Sequence, residues 1–257
     1  MDLDIKMSLI FADFKVILVQ QFPTRRKAWA SQENKPEGVA IKNGRGFTLM
    51  VFTSVGYNYK GKLIIVADKS VFVRGPRKGK LKLIPKTEDQ NVYQNEILLP
   101  LFEDFKTKGM AIDLGDGKGR LVDGFTYQQD GAPTHCTSGS MEFLDKIFGL
   151  ENVMSRHNKS WKGKKPKIIW PPRSPDLSPL DFSIWKELKE LAMSKAPLGY
   201  YENPEQAADL LVEAWSEIDQ SYINKCCVQG YRNRLERCLA NGGSYSGKRR
   251  ARENREQ

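Results

Sequence analysis

The chain has 257 residues, 40% of them apolar and 28% charged, the balance of an ordinary globular protein long enough to bury a sizeable core. No stretch is apolar for the roughly 18 residues a membrane span needs, and Met1–Lys15 mixes Asp2, Asp4 and Lys6 with short apolar runs, unlike the continuous apolar centre of a secretory signal. A net charge of +10 favours polyanions, either nucleic acid or an anionic membrane surface.

Val16-Ile17-Leu18-Val19 predicts a strand buried on both faces. Phe47–Val55 and Lys62–Ala67 predict two further strands, joined into a hairpin by the turn-like Tyr57-Asn58-Tyr59-Lys60-Gly61. A basic stretch follows, with Arg74, Arg77, Lys78 and Lys80 interrupted by Gly75, Pro76 and Gly79. It reads either as a solvated loop or edge strand, or as a phosphate-contacting surface. Asn91–Lys106 carries Val92, Ile97, Leu98, Leu101, Phe102 and Phe105 at near-helical spacing, with Pro100 as a kink or boundary. Ala111–Val122 is glycine-rich and reads as a loop. Phe125–Gln129 predicts a strand that ends at the turn signal Asp130-Gly131.

Ser138–Phe148 predicts a short helix, and Ser155–Lys167 is polar and strongly basic. Lys167–Trp170 predicts a fifth strand, stopped by Pro171-Pro172. Ser178-Pro179 predicts a helix start, with serine as the cap and proline at the first helical position. Leu180, Ile184, Trp185, Leu188 and Leu191 form its apolar stripe. Asn203-Pro204 opens another helix in the same way. A last helix runs from about Ser221 to Leu239 and stops at Gly242-Gly243. This order predicts an α/β fold: a mixed sheet with helical cover and a helical C-terminal cap. Residues 1–200 would form the main domain, 201–243 a helical extension packed on it, and 244–257 a basic disordered tail.

Two segments stand out chemically. Tyr127-Gln128-Gln129-Asp130-Gly131-Ala132-Pro133-Thr134-His135 places a carboxylate at the end of a central strand, where catalytic groups of open α/β sheets converge. Taken alone it reads as a plain Asp-Gly turn. In Trp170–Trp185, Asp181 lies in the first turn of a helix. Dipole compensation there is worth about 0.3–1 kcal/mol, but Asp181 shares its face with Ile184, Trp185 and Leu188, and a carboxylate held there is costly without a partner such as a metal ion. The four cysteines and two histidines match no zinc spacing, so the thiols read as buried or indifferent groups of a reducing compartment.

Gln128–His135 followed by Trp170–Trp185 resembles the second and third catalytic blocks of mariner-type DDE transposases, Gln-Asp-Asn/Gly-Ala-Pro-x-His and Trp-Pro-x-x-Ser-Pro-Asp-Leu-x-Pro-x-Asp/Glu. Val51–Lys62 resembles the family's hairpin after its first catalytic strand, and Tyr231–Gly243 is similar to its closing helix and Gly-Gly turn. The resemblance spans roughly Lys15 to Tyr245. It implies an RNase H-like fold, a nuclear location, DNA as partner, a homodimer, no small-molecule substrate, and three acidic residues holding two Mg²⁺ or Mn²⁺ ions for in-line displacement at phosphorus. Asp130 matches the second family carboxylate and Asp181 the third.

Two departures stand out. The first family carboxylate follows an apolar strand, where Val16–Val19 is followed here by Gln20-Gln21. On that alignment Gln20 replaces the first aspartate, and an amide brings no charge to hold two hard cations. Asp13 lies seven positions upstream of Gln20, roughly 23 Å along an extended strand at about 3.3 Å per residue, which argues against it as a substitute. Asp68, at the end of the third strand, is a more open one. The interval from Asp130 to Asp181 is also longer than usual. The excess falls in a basic segment containing Arg156, Lys162, Lys164 and Lys165, which with Arg173 could add phosphate contacts. The family's paired helix-turn-helix region is not found in these residues, so sequence-specific DNA recognition is not expected of them alone. The expectation is an impaired transposase core, with a non-catalytic chromatin or DNA-binding adaptor, or an active endonuclease completed by Asp68, as alternatives.

Overall fold

Leu9 to Val19 carries apolar side chains on both faces, with Leu9, Phe11 and Ile17 in one core and Ile10 and Ala12 in another. Such a strand belongs at the centre of a sheet covered on both sides. The computed structural model, which describes residues 9–19, 47–156, 161–166 and 168–243, puts it there. This strand, β1 (Leu9–Val19), pairs antiparallel with β2 (Phe47–Gly56) and parallel with β8 (Thr126–Gln128). Beyond β2 lie β4 (Ile64–Val71) and β5 (Leu81–Pro85), both antiparallel. Beyond β8 lie β9 (Val153–Ser155) and β10 (Ile168–Ile169), both parallel. The order is β10-β9-β8-β1-β2-β4-β5, with β3 (Tyr59–Lys60) completing a hairpin on β2.

β1 begins seven residues before the predicted start at Val16, and this shift changes the reading of the site. The hairpin forms as predicted. Its turn places Asn58 at φ 53°, the left-handed region that asparagine tolerates. Asn58 is held from outside by Asn224, whose Oδ1 accepts from the Asn58 amide at 2.8 Å and whose Nδ2 donates back to Asn58 Oδ1 at 2.8 Å.

One face of the sheet is covered by a π-helical segment, Val92–Leu98, that runs into the α-helix Leu99–Thr107. The change of pitch falls just before Pro100, which lacks the amide hydrogen a regular ladder would use. The helix Ser138–Phe148 packs on the same face, with Thr137 capping it by accepting from the Ser140 amide. Ala111–Val122, read as a loop, instead contains the hairpin β6 (Ala111–Gly115) and β7 (Lys118–Leu121). Its glycines supply the turn, with Gly115 and Gly117 both at positive φ. Gly119 leaves room for the ring of Phe102, which sits where a Cβ would be.

The other face is covered by Leu180–Ile184, a π-helical turn leading into the α-helix Trp185–Ser194, and by the helices Pro204–Glu217, Gln220–Lys225 and Tyr231–Ala240. Asn203 caps Pro204–Glu217 as predicted, accepting from the Gln206 amide at 2.9 Å. Ser178 does not act as a side-chain cap. Its carbonyl accepts from the Phe182 amide while its hydroxyl has no partner among the described residues. Ala207, Leu211, Ala214 and Trp215 share one core with Leu49, Val51 and Trp185, so the C-terminal helices complete the core on this face. Trp185 is 1% exposed. Burying an indole of 150–250 Å² at about 25 cal/mol per Å² stabilises by roughly 4–6 kcal/mol. Its N–H must then find an acceptor inside the protein.

Candidate functional site

That acceptor is Asp13, whose Oδ2 takes the Trp185 indole N–H at 2.8 Å. The parallel register explains why Asp13 meets Asp130. Phe11 lies opposite Gln128, so two residues further on, past the last paired position, Asp13 comes level with Asp130 on the same face. β8 ends at Gln128, which frees Asp130 from the ladder at the sheet rim. Asp181 arrives on the opening turn of the helical segment that carries Trp185. Asp13, Asp130 and Asp181 line one cavity of about 590 Å³, walled by Trp170, the Pro171–Pro175 loop and Ser178.

Each acid has a protein partner. Asp130 Oδ1 accepts from the Ala132 amide at 3.0 Å and lies 2.6 Å from His135 Nδ1. His135 is 2% exposed, sandwiched against Tyr93 and Phe14 with ring centroids 4.3 and 5.4 Å away. Its Nε2 is 3.0 Å from Glu88 Oε1, within ion-pair range though poorly directed for a hydrogen bond. Burial opposes the imidazolium, but contacts with Asp130 and Glu88 outweigh it and raise His135 to about 9. Burial likewise works to raise Asp130, and the charged His135 with the Ala132 amide reverses the effect and holds it below the usual carboxylate range. The Gln-Gln-Asp-Gly-Ala-Pro-Thr-His block thus builds its own cationic support for the acid. Tyr93 donates to Gln129 Oε1, and Gln129 Nε2 donates to Ser155 Oγ at 2.9 Å and to the His135 carbonyl at 3.2 Å, which locks the loop to the sheet.

Asp181 pairs with Lys15 at 3.1 Å. Burial and the Asp130 charge still leave it raised, against the pull of Lys15. Asp13 is the most perturbed of the three. Burial, then the charge of Asp181, push it up to about 8, with Asp130 adding to the rise and the Trp185 hydrogen bond and Lys15 opposing it. A buried acid raised by desolvation and by acidic neighbours is the kind of group found at functional sites.

The expectation that Asp13 lies too far along the chain is corrected by this geometry. Gln20 follows the apolar run Val16–Val19, whereas Asp13 sits where the β8 pairing stops. Gln20 lies outside the described residues. Asp68 does not complete the site: its side chain is 64% exposed, it pairs with Lys86 at 2.7 Å, and it is not part of the cavity. Of the predicted phosphate contacts, Arg173 lines the cavity, at φ 56°. Arg74, Arg77, Lys78 and Lys80 sit on the exposed hairpin between β4 and β5, where Arg77 pairs with Glu205 at 3.0 Å. Lys162, Lys164 and Lys165 are exposed, with Lys164 near Asp145 and Glu151. None of these seven lines the cavity. Arg156 does, against Gly131, where a Cβ would come within 2.9 Å of its Cδ. Lys15, Glu88 and Trp185 gave no signal of their site roles in the sequence, because each depends on tertiary neighbours.

The donors fit hard divalent cations, since three carboxylates and no thiolate or imidazole face the cavity. Two further oxygens among the buried cavity-lining residues, Gln128 Oε1 and Ser178 Oγ, have no hydrogen-bond partner among the described residues. Among the described residues, no three acidic, histidine or cysteine side chains converge on a single ion position.

No protein-family profile matches the chain, and no curated protein does. Among solved structures, it is similar to the Mos1 mariner paired-end complex with Mn at 16% identity and TM-score 0.57, over 93% of this chain and 57% of that one. It is similar to the Mos1 strand transfer complex at 17% identity and TM-score 0.58, over 93% and 56%. The Mos1 transposase catalytic domain, solved with raltegravir and Mg, matches at 14% identity and TM-score 0.53, over 93% and 86%. The chain thus spans little more than half of the longer Mos1 chains but most of the catalytic-domain chain. At this identity the likeness is one of architecture: the chain has the RNase H-like fold of the Mos1 mariner transposase catalytic domain.

Proposed function

We propose that the chain is a mariner-like transposase catalytic domain that cleaves and joins DNA strands, with Asp13, Asp130 and Asp181 as its acidic triad. The observation that carries this reading is the meeting of the three carboxylates in one cavity from three distant chain segments, on a fold shared with transposase catalytic domains. In this reading Asp13 takes the place first given to Gln20, so the strand-cleavage chemistry keeps its full set of acids. Impairment is then not expected from the Gln20 position.

Asp13, Asp130 and Asp181 would together hold Mg²⁺ or Mn²⁺, which when bound would supply charge neutralisation and activation of the attacking oxygen. The chain's own residues prepare for this. Trp185 fixes one oxygen of Asp13 by its indole N–H. His135, itself braced by Glu88, fixes Asp130 and keeps it ionised. Lys15 holds Asp181 and would be displaced from it, leaving a cation within reach of a DNA phosphate. Arg156 and Arg173 at the cavity wall are placed to contact the phosphates on either side of the reacting one.

The test is nicking of supercoiled plasmid in Mg²⁺ or Mn²⁺. Activity should be lost in Asp13→Asn and in Asp130→Asn and kept in Gln20→Ala. Loss in Gln20→Ala together with survival in Asp13→Asn would return the first triad position to residue 20. DNA binding without any cleavage by the intact chain would favour the adaptor reading instead.

A further inference from the structure

The helical segment that delivers Asp181 has a second, separate side. Phe182 and Ser183, the two residues after Asp181, floor an open groove of about 370 Å³. Its other wall is the C-terminal helical run, contributing Tyr222, Lys225, Gln229, Asn233, Arg234 and Arg237. The chain builds this groove in a particular way. Gly230 lets the Phe182 ring lie against the helix, where a Cβ would meet the ring at 3.3 Å. Arg234 then stacks on that ring, with its guanidinium carbon 4.0 Å from the centroid. An arginine held against a ring keeps N–H donors for a two-oxygen acceptor such as a phosphate.

The lining contains three cations and no carboxylate. Lys225, Arg234 and Arg237 form no ion pair with any described residue, whereas Arg232 on the same helix is paired with Glu236 at 2.8 Å. Gln229 Nε2 donates to Asn233 Oδ1 at 2.6 Å and Ser183 shares a hydrogen bond with Tyr222 at 2.8 Å, so the polar walls are pre-arranged. Unpaired cations gathered over a groove, rather than spread over a solvated face, mark an anion track.

We infer that this groove binds the phosphodiester backbone of the DNA that continues from the carboxylate cavity. Arg234 is the stacked phosphate clamp, with Lys225 and Arg237 on successive phosphates. The inference rests on the proposed DNA-processing function and extends it. Asp181, which lines the carboxylate cavity, is followed directly in the chain by Phe182 and Ser183, which line the groove, so one helical turn carries residues of both. The groove makes no base-reading contacts of its own, so it contributes grip and register but no sequence preference.

The experiment is fluorescence anisotropy of a labelled DNA duplex in EDTA, between about 50 and 200 mM salt, where counterion release makes each phosphate contact visible as a slope of about 0.9 in log affinity against log salt. The charge-reversing pair Arg234→Glu with Arg237→Glu should weaken binding more than about tenfold at the low-salt end and make the slope shallower by about two. The pair Arg234→Lys with Arg237→Lys should keep the slope. Arg237 is exposed, so Arg237→Ala alone provides a variant with intact folding and should reduce the slope by about one. If these variants bind DNA with wild-type affinity and slope, the groove is not a DNA track. If they lose binding to polyglutamate while DNA binding is unchanged, the groove serves an acidic peptide and the inference is overturned. If the wild-type chain binds no DNA, the functional reading itself fails and takes the groove with it.

Discussion

Asp13 is the residue whose replacement speaks most directly to the site. Its carboxyl is raised in the fold from 3.8 to about 8, so between those two values the folded chain holds a proton that the unfolded chain releases. The slope of stability with pH follows the protons bound unfolded minus those bound folded. It is therefore negative: the cost is absent below about pH 4, grows as pH rises, and is complete above about pH 8. At pH 7 about three units separate the ordinary carboxylate value from the solution, at about 1.4 kcal/mol each, giving a cost of about 4 kcal/mol. Asp13→Asn keeps the volume and an acceptor oxygen for Trp185 while removing the charge. The buried amide N–H₂ gives back about 1–2 kcal/mol where it lacks a partner. The net gain is roughly 2–3 kcal/mol, or about 4–12 °C in Tm for a chain of this size. Urea denaturation in EDTA at pH 5, 6, 7 and 8 reads it. The advantage of Asp13→Asn should widen steadily across that series, and Mg²⁺ should narrow it by stabilising only the wild type. Equal stability differences at pH 5 and pH 8, or a variant less stable than wild type at pH 8, would refute the placement of Asp13 among buried acids.

Three further outcomes follow from the same contacts. Trp185→Phe keeps the core aromatic but leaves Asp13 Oδ2 without its donor; it should cost about 1–3 kcal/mol and move the Asp13 titration further upward, measured by the pH at which denaturation midpoints stop falling. Lys15→Met removes the cation on Asp181 and should strengthen Mn²⁺ binding at pH above the Asp181 titration, followed by quenching of Trp185 fluorescence, because the ion no longer displaces a lysine. His135 is raised to about 9 from 6.5, so the stability it contributes is full below about pH 6.5 and lost as pH rises through about 9. His135→Asn should remove that loss, and the stability curves of variant and wild type should converge toward pH 10.

Much of this arrangement was readable in the chain. The two blocks around Asp130 and Asp181 gave both acids, because each carries local markers: a turn dipeptide after a short strand, and prolines ahead of an apolar helical stripe. The hairpin and the Asn203 cap were equally local. Asp13 was not readable in the same way. Asp13 and Lys15 interrupt the apolar pattern ahead of Val16, so the continuous run Val16–Val19 is the strand signal visible in the sequence. Only the register of β1 against β8, fixed by pairing partners far along the chain, shows that Asp13 is where the ladder opens. β9, three residues long, gave too little alternation to be seen. The β6–β7 hairpin was hidden by its own glycines, which read as a loop although they serve as its turn and as the seat for Phe102. Lys15 and Glu88 take their meaning from neighbours distant in sequence, and no local pattern announces them.

The three acids differ in how the fold disposes of their charge, and the difference has a direction. Asp130 is kept ionised by a buried imidazolium that is itself anchored to Glu88. Asp181 is balanced by a lysine that is about one-third exposed, a partner free to swing toward solvent when a stronger cation arrives. Asp13 is bonded to the neutral Trp185 indole, and its burial together with the charges of Asp181 and Asp130 favours the protonated form. A divalent cation entering this cavity thus meets one ready carboxylate, one that must release an ammonium, and one that must release a proton. Its affinity should therefore rise with pH until Asp13 is ionised, near pH 8, and Asp13→Asn should abolish that rise while lowering affinity throughout. Mn²⁺ titration calorimetry at pH 6, 7 and 8, in buffers of different ionisation enthalpy, reads both the affinity and the protons released. Proton release unchanged by Asp13→Asn would place the titrating group elsewhere and remove Asp13 from the ion's shell.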